Sequence, residues 1–158
     1  MRLRRAVRED ARLLWRWAND RGTRAASYSS LPIPWGDHVR WFESKLSDRS
    51  RVRLYVAEDG KGTPLGQIRL ERRGPGRAEV SLALGARWRG RGLGAGLLES
   101  GFRRGIRDLK LRSVFGWVKE VNAASLSVFR RAGFRRIRRA RHKGSWSVLF
   151  SRPAGRRS

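Results

Sequence analysis

The chain has 158 residues, 39% of them hydrophobic, and carries 38 Lys+Arg against 13 Asp+Glu, a formal charge of +25. That length and apolar content suit one domain with a buried core and exclude a disordered polycation. There is no cysteine, which excludes disulfides and thiolate metal sites, and no apolar run approaches the roughly 20 residues of a membrane span.

In chain order, LRRAV at 3–7 predicts a short strand. Glu9 and Asp10 then favour a helix N-terminus, and Ala11, Leu14, Trp15 and Ala18 follow helical spacing. Asn19-Asp20-Arg21-Gly22 reads as the stop of that helix, and SSLPIPWGD as a loop. Asp37 is the expected N-cap of a second helix with Val39, Phe42 and Leu46 on one face. Strands follow at 51–59, 64–72 and 78–84, joined by Gly60-Lys61-Gly62 and RGPGR turns into a meander of hairpins. A glycine-rich loop then leads into a helix reaching about Asp108, and RSVFGWV at 112–118 is a strand. Asn122 caps a helix to Arg131, ended by Ala132-Gly133, and strands at 134–137 and 145–150 close the chain. The order β-α-α-β-β-β-α-β-α-β-β is that of an α/β or α+β layered domain over residues 1–151, with 152–158 as a basic, flexible tail.

The N-terminal MRLRRAVREDARLL lacks the apolar core of a signal peptide, so a cytoplasmic location is the expectation. His38 and His142 are far apart in sequence, and no metal site is expected. Of the basic residues five are lysine and 33 arginine, and eleven of them follow the last acid, Glu120. Such a surface attracts nucleic acid or another polyanion through non-specific charge, or else records a drift toward arginine spread along the whole chain.

RWRGRGLGAGLLES at 87–100 places four glycines and three arginines before a helix. A helix N-terminus offers free N–H groups and a partial positive charge, and glycine lets them approach a phosphate closely. The P-loop pattern fails, because no lysine follows the glycines. The dinucleotide fingerprint is loosely met by Gly90-Arg91-Gly92-Leu93-Gly94-Ala95 with Asp108 beyond, but it belongs to a parallel βαβ unit and here a hairpin meander precedes it. A third pattern, R-x-x-G-x-G, is met by Arg89, Gly92 and Gly94. Further on, NAASLSVFRRAGF at 122–134 matches N-x-x-S-x-x-x-[YF]-x-x-x-G-F at Asn122, Ser125, Phe129, Gly133 and Phe134. Together, in this order and spacing, the two motifs resemble those of the GNAT family of N-acetyltransferases along essentially the whole chain.

That resemblance implies a mixed, mostly antiparallel central sheet of about six or seven strands flanked by about four helices. It implies acetyl-CoA as acetyl donor, no metal, and direct transfer to a primary amine within a ternary complex. The pyrophosphate would lie on Arg87, Arg89, Gly90, Arg91, Gly92, Leu93 and Gly94, and Asn122 and Ser125 would meet the pantetheine arm or phosphate. Strand 80–84, with Leu82 and Leu84, would splay from strand 112–118 and pair with the pantetheine amides. Phe129 stands where many relatives carry an acidic tyrosine, and it has no proton to give. Glu79, on the strand face opposite Val80, Leu82 and Leu84, is the first candidate general base, and His38 the second.

The acceptor side resembles, through its W-x-N-D and I-P-W-x-x-H-x-x-W-F elements, the acetyltransferases of pseudaminic-acid-type sugar biosynthesis. A nucleotide-linked, UDP-type aminosugar would then be held by Asn19, Arg24, Tyr28, Trp35, His38 and Trp41, with aromatics stacking a ring and arginine holding a diphosphate. A ribosomal-protein-type N-terminal acetyltransferase and a basic nucleic-acid-binding module with a vestigial acetyl-CoA site are the alternatives, and a homodimer is compatible with either enzyme.

Overall fold

The computed structural model describes residues 1–155. Seven strands, β1 (Arg2–Arg5), β2 (Val52–Glu58), β3 (Pro64–Arg72), β4 (Arg77–Leu84), β5 (Ser113–Lys119), β6 (Arg135–His142) and β7 (Ser145–Pro153), form one sheet in the order β1-β2-β3-β4-β5-β7-β6. Five helices flank it: α1 (Ala11–Asn19), α2 (Arg21–Ala26), α3 (Trp35–Ser47), α4 (Leu93–Leu109) and α5 (Ala123–Arg131). Short 3-10 turns occupy Arg8–Asp10 and Ala86–Trp88.

The alternation in the strands decides the layers. On one face Tyr55, Ile68, Leu70, Val80, Val114, Val148 and Phe150 pack with Leu97, Leu98 and Phe102 of α4 and Phe129 of α5. Gly101 and Gly105 let α4 lie close on β3, since a Cβ at either would run into Ile68 or Leu70. On the other face a smaller cluster joins Leu54 and Val56 of β2 to Leu14 of α1 and Phe42 of α3.

All neighbouring strands are antiparallel except β4 and β5. These two run parallel and pair only at Arg77–Ser113, Ala78–Val114 and Glu79–Phe115. Beyond that point they separate, so the backbone of β4 from Val80 onward has no partner on its β5 side. This V-shaped opening matches the expected splay of strand 80–84.

Several boundaries differ from the sequence expectations. Asn19-Asp20-Arg21-Gly22 does end α1, but Asp20 also caps a new helix, its carboxylate accepting from the Thr23 N–H at 3.1 Å. Among the described residues this makes five helices, where about four were expected. The helix expected to be capped by Asp37 begins earlier, at Trp35 after Pro34, which leaves Asp37 in its first turn. Strand β1 spans 2–5 instead of 3–7, because Val7 turns into the 3-10 segment by donating to the Asp10 carboxylate at 2.7 Å. Strand β6 continues to His142, pairing with β7 across a bulge between Arg136 and Arg138. Strand β7 continues through Pro153, so the residues expected as a tail from 152 are partly sheet. Arg152 ties this extension to the Ala132 carbonyl at 2.8 Å and to Glu99, and Ala154 donates to the Arg112 carbonyl at 2.7 Å. The remainder of the expected tail, 156–158, lies outside the described residues.

Candidate active site

The V opens beside the glycine loop. Gly90 and Gly92 have φ of 72° and 76°, the left-handed region that side chains resist. Gly92 is the N-cap of α4 and supplies no side-chain cap, so the first-turn N–H groups of a 17-residue helix are left for an anion. A Cβ at Gly90 or Gly92 would meet nothing within 4 Å, so these two glycines answer to backbone conformation. Gly94 answers to packing: it is buried, and a Cβ there would lie 2.7 Å from Val128 Cγ2 on α5.

The three loop arginines do not act alike. The Arg87 and Arg91 guanidinium groups lie 4.9 and 5.2 Å from the Trp88 ring centroid and remain near the loop. Arg89 turns away: its Nη2 donates to Asp20 Oδ2 at 2.5 Å, Thr23 Oγ1 at 2.9 Å and the Leu84 carbonyl at 3.3 Å. Its side chain thereby holds α2, not a phosphate. At the far end of the same helix Lys119 Nζ donates to the carbonyls of Ala25 (3.3 Å) and Ser27 (3.1 Å), and the Tyr28 hydroxyl bonds to Ser147 Oγ at 2.8 Å. Helix α2 thus bridges the open V, pinned to the loop after β4 on one side and to β5 and β7 on the other. Asp20→Asn should leave acetyl-CoA affinity nearly unchanged and raise the acceptor KM about 10-fold, since a partly exposed charge-assisted pair is lost. Steady-state kinetics in both substrates will show it, and a change confined to the acetyl-CoA KM would contradict it.

Asn122 caps α5, its Oδ1 accepting from the Ser125 N–H at 3.1 Å, and Ser125 is half-buried in the first turn of that helix. Leu82, Leu84 and Leu93 are half-buried, the first two against the main core. Phe129 is 2% exposed, with ring centroids 5.1 Å from Phe134 and 5.3 Å from Phe150. Gly116 makes room for it, since a Cβ there would sit 2.6 Å from the Phe129 ring and 3.3 Å from Val80. The aromatic at 129 therefore forms the base of the V.

On the opposite face, α1, α2 and α3 cover β2, β3 and β4 around a cleft of about 370 Å³. Trp17, Thr23, His38 and Trp41 form its walls, and Gln67, Arg69, Ser81 and Ala83 its floor. Because Ser81 and Ala83 belong to the unpaired part of β4, this cleft and the V share one strand.

Glu79 is at the last paired position, opposite Phe115 on β5 and Glu71 on β3. Its Oε1 is 3.4 Å from Arg73 Nε, and its side chain is 26% exposed. His38 is buried and donates from Nε2 to the Ala11 carbonyl at 2.9 Å, between the rings of Phe42, Trp35 and Trp41. Burial lowers its pKa, so it is a neutral wall residue with one nitrogen already committed.

The sequence-predicted acceptor residues divide. Asn19 holds both backbone groups of Ile33, at 2.7 and 3.0 Å, and Trp15 adds a bond to the same carbonyl at 2.8 Å. Arg24 donates to the carbonyls of Ala18 (2.6 Å), Ser29 (3.0 Å) and Leu31 (3.3 Å) and to Ser27 Oγ (3.2 Å). Trp35 packs edge-on against Trp15 at 5.3 Å. These three shape the loop around the cleft. Of the predicted acceptor residues, Arg24, His38 and Trp41 line the cleft. Tyr28 stands at its β7 end, beside His142, which stacks on Trp117 at 4.3 Å. Gln67, Arg69, Ser81, Lys119 and His142 were not anticipated. The signal for the first two was the polar alternation Gln67-Arg69-Glu71 in a strand that both neighbours make interior.

Among the described residues no group of three or more His, Cys, Asp or Glu side chains could hold a metal, and no helix is long and apolar enough to cross a membrane. The loop and V fit acetyl-CoA: an uncapped helix N-terminus at left-handed glycines suits the pyrophosphate, and the unpaired edge of β4 suits the pantetheine amides. Comparison with known proteins agrees. The model of the acetyltransferase (GNAT) domain matches residues 1–135. The provisionally assigned phosphinothricin acetyltransferase YwnH of Bacillus subtilis (strain 168) is 31% identical over 118 residues, covering 71% of this chain and 69% of that protein. The fold is similar to spermidine N-acetyltransferase from Vibrio cholerae, crystallised with CoA and spermine, with a TM-score of 0.86 at 16% identity over 96% of this chain and 94% of the other. It is also similar to aminoglycoside acetyltransferase AAC(6')-Ib with coenzyme A, with a TM-score of 0.83 at 18% identity over 96% and 93%. The family-model match, the YwnH relative and the V-shaped cofactor cleft agree: this chain belongs to the GNAT family and is an acetyl-CoA-dependent N-acetyltransferase.

Proposed function

We propose that the acceptor is the primary amine of a small molecule seated in the cleft between α1–α3 and the sheet, and that Glu79 takes its proton. The observation that carries this reading is the cleft floor: Ser81 and Ala83 belong to the stretch of β4 that has left β5, so an amine on that floor meets the V from the side. The names of the relatives support a small acceptor, being those of phosphinothricin, spermidine and aminoglycoside acetyltransferases.

Acetyl-CoA, when bound, supplies an acetyl group activated as a thioester. The N–H groups from Gly92 into the first turn of α4, with Arg87 and Arg91, would hold its pyrophosphate, and the free edge of β4 would orient its arm. Glu79, on the cleft face two residues before Ser81, accepts the proton that an ammonium must lose before it can attack. Phe129 offers no proton to the departing sulfur, and an ordinary thiol pKa of about 8.5 makes one unnecessary near neutral pH. The chain has no cysteine to carry the acetyl group, which supports direct transfer.

A nucleotide-linked aminosugar is the narrower form suggested by the sequence from Asn19 to His38. Trp41 supports it as a stacking surface, but Arg24 is spent on the loop's own carbonyls and offers no diphosphate clamp. The test is a thiol-release assay with acetyl-CoA against amino acids, polyamines, UDP-linked 4-amino sugars and N-terminal peptides. It should run at about 0.3 M salt, because exposed charges are screened beyond about 10 Å already at 0.1 M and a +25 protein attracts any anion weakly. Peptides turned over as well as the best small amine would overturn the reading.

A further inference from the structure

We infer that the acceptor carries an anionic group only a few bonds from its amine, and that Arg69, with Gln67 beside it, is the residue pair that selects it. The inference rests on the small-amine reading above and narrows it.

Arg69 lies on β3 with a side chain 23% exposed, directly opposite Ser81 on β4. Its guanidinium makes no hydrogen bond among the described residues. Its nearest acid is Glu71, Nε to Oε2 at 3.6 Å, and its Cζ stands 5.0 Å from the Trp41 ring centroid on the cleft wall. A guanidinium has five N–H donors in a planar fork, and burying it without partners is costly. Glu71 meets that cost only in part: its Oε1 accepts from Lys45 at 2.8 Å and Arg73 at 3.0 Å, and its Oε2, which faces Arg69, is buried without a hydrogen bond. Glu79 is held by Arg73 in turn. Three cations, Lys45, Arg69 and Arg73, thus face two carboxylates, Glu71 and Glu79, and the excess charge is positive. Next along the strand, Gln67 Oε1 is buried without a hydrogen-bond partner and lines the same floor. Among the described residues the only acid lining the cleft is Asp37, which pairs with Arg40 and is largely exposed.

The floor therefore gives the Arg69 guanidinium one long ion pair and no hydrogen-bonded anion, and gives Gln67 no donor. A polyamine supplies only cations, and Arg69 would repel it. An oxyanion such as a carboxylate or phosphinate fills the guanidinium fork with paired, charge-assisted bonds. Distance limits the span. Facing residues on adjacent strands have Cβ atoms about 5 Å apart. Arg69 and Ser81 line one cleft of about 370 Å³, so an anion on the guanidinium and the reacting amine over Ser81 share that small volume. A compact zwitterion of α- or β-amino-acid size meets both demands, whereas the diphosphate of a sugar nucleotide is separated from its 4-amino group by the whole sugar ring.

The experiment compares free amino acids with their methyl esters, alongside spermidine and a UDP-linked 4-amino sugar, for wild type, Arg69→Gln and Arg69→Lys. The wild-type enzyme should prefer the free carboxylate over the ester by about 10- to 100-fold in kcat/KM, the scale of charged hydrogen bonds lost. This preference would run against intrinsic reactivity, since the ester's amine is the more readily deprotonated. It should collapse to near unity in Arg69→Gln and survive in part in Arg69→Lys, with the KM for acetyl-CoA unchanged in both. Esters, spermidine or the sugar nucleotide turned over as well as free amino acids by wild type would overturn the inference and leave N-acetyl transfer standing. This comparison needs no variant to fold. If acetyl-CoA binds by calorimetry but no small amine is acetylated, the small-amine reading fails and this inference with it.

Discussion

Gly92→Val is expected to weaken acetyl-CoA binding about 100-fold while leaving the fold in place. Gly92 has φ of 76° at the N-cap of α4, a conformation that a β-branched residue occupies only at a cost of about 1–3 kcal/mol. Nothing crowds the position, so valine meets no clash, and the strain is relieved by letting the loop backbone rotate. That rotation re-aims the N–H groups of the next residues, which are the ones an anion would engage, and losing two charged hydrogen bonds accounts for the estimated factor. Gly94→Val works differently although it lies two residues away. Its side chain would strike Val128 and push α5 from α4, so about 1–3 kcal/mol of stability is lost and binding falls only as a consequence. Calorimetry with coenzyme A beside thermal melting separates the two. Unchanged affinity in a folded Gly92→Val enzyme would remove the loop from the cofactor site.

The motifs were legible because each is local. R-x-x-G-x-G and Asn122-x-x-Ser125 depend on backbone conformation and capping within a few residues, and the structure forms both as a helix N-terminus and an N-cap. The layer order was legible too, since strand alternation and helical spacing are short-range patterns. What sequence could not give was the destination of long polar side chains. Arg89 carries the motif's charge, yet its partners Asp20 and Thr23 lie 69 and 66 positions away. Arg24 and Asn19 looked free for a ligand, but a loop of two prolines exposes carbonyls that need donors, and these two side chains supply them. Helix α2 was hidden for a different reason: Asp20 is at once the end of one helix and the cap of the next, and a stop signal and a start signal coincide. The cleft floor was missed because a polar alternation on β3 reads as a solvated strand face until α3 is known to cover it.

Glu79→Gln should reduce kcat about 100-fold near neutral pH with little change in acetyl-CoA affinity, the effect expected for removing a positioned general base. The residue is well separated from the glycine loop, at the last rung shared by β4 and β5, so binding of the cofactor does not depend on its charge. It is one repeat along the strand from Ser81, on the face that carries the cleft, and its contact to Arg73 at 3.4 Å is long enough to be given up when a proton arrives. Glutamine keeps the shape and removes the basicity. The sign of the pH dependence follows from the substrate: an aliphatic ammonium is almost wholly protonated at neutral pH, so the base matters most there and least at high pH, where free amine is abundant. The Glu79→Gln enzyme should therefore gain rate with rising pH more steeply than wild type and approach it at the alkaline end. His38→Gln provides the contrast. Its Nε2–H is bonded to the Ala11 carbonyl within a ring of aromatics, so its loss should lower the melting temperature and leave the shape of the pH profile unchanged. A Glu79→Gln enzyme with full kcat from neutral to alkaline pH would assign proton removal to another group, and His142, stacked on Trp117 across the open V, would be the next residue to change.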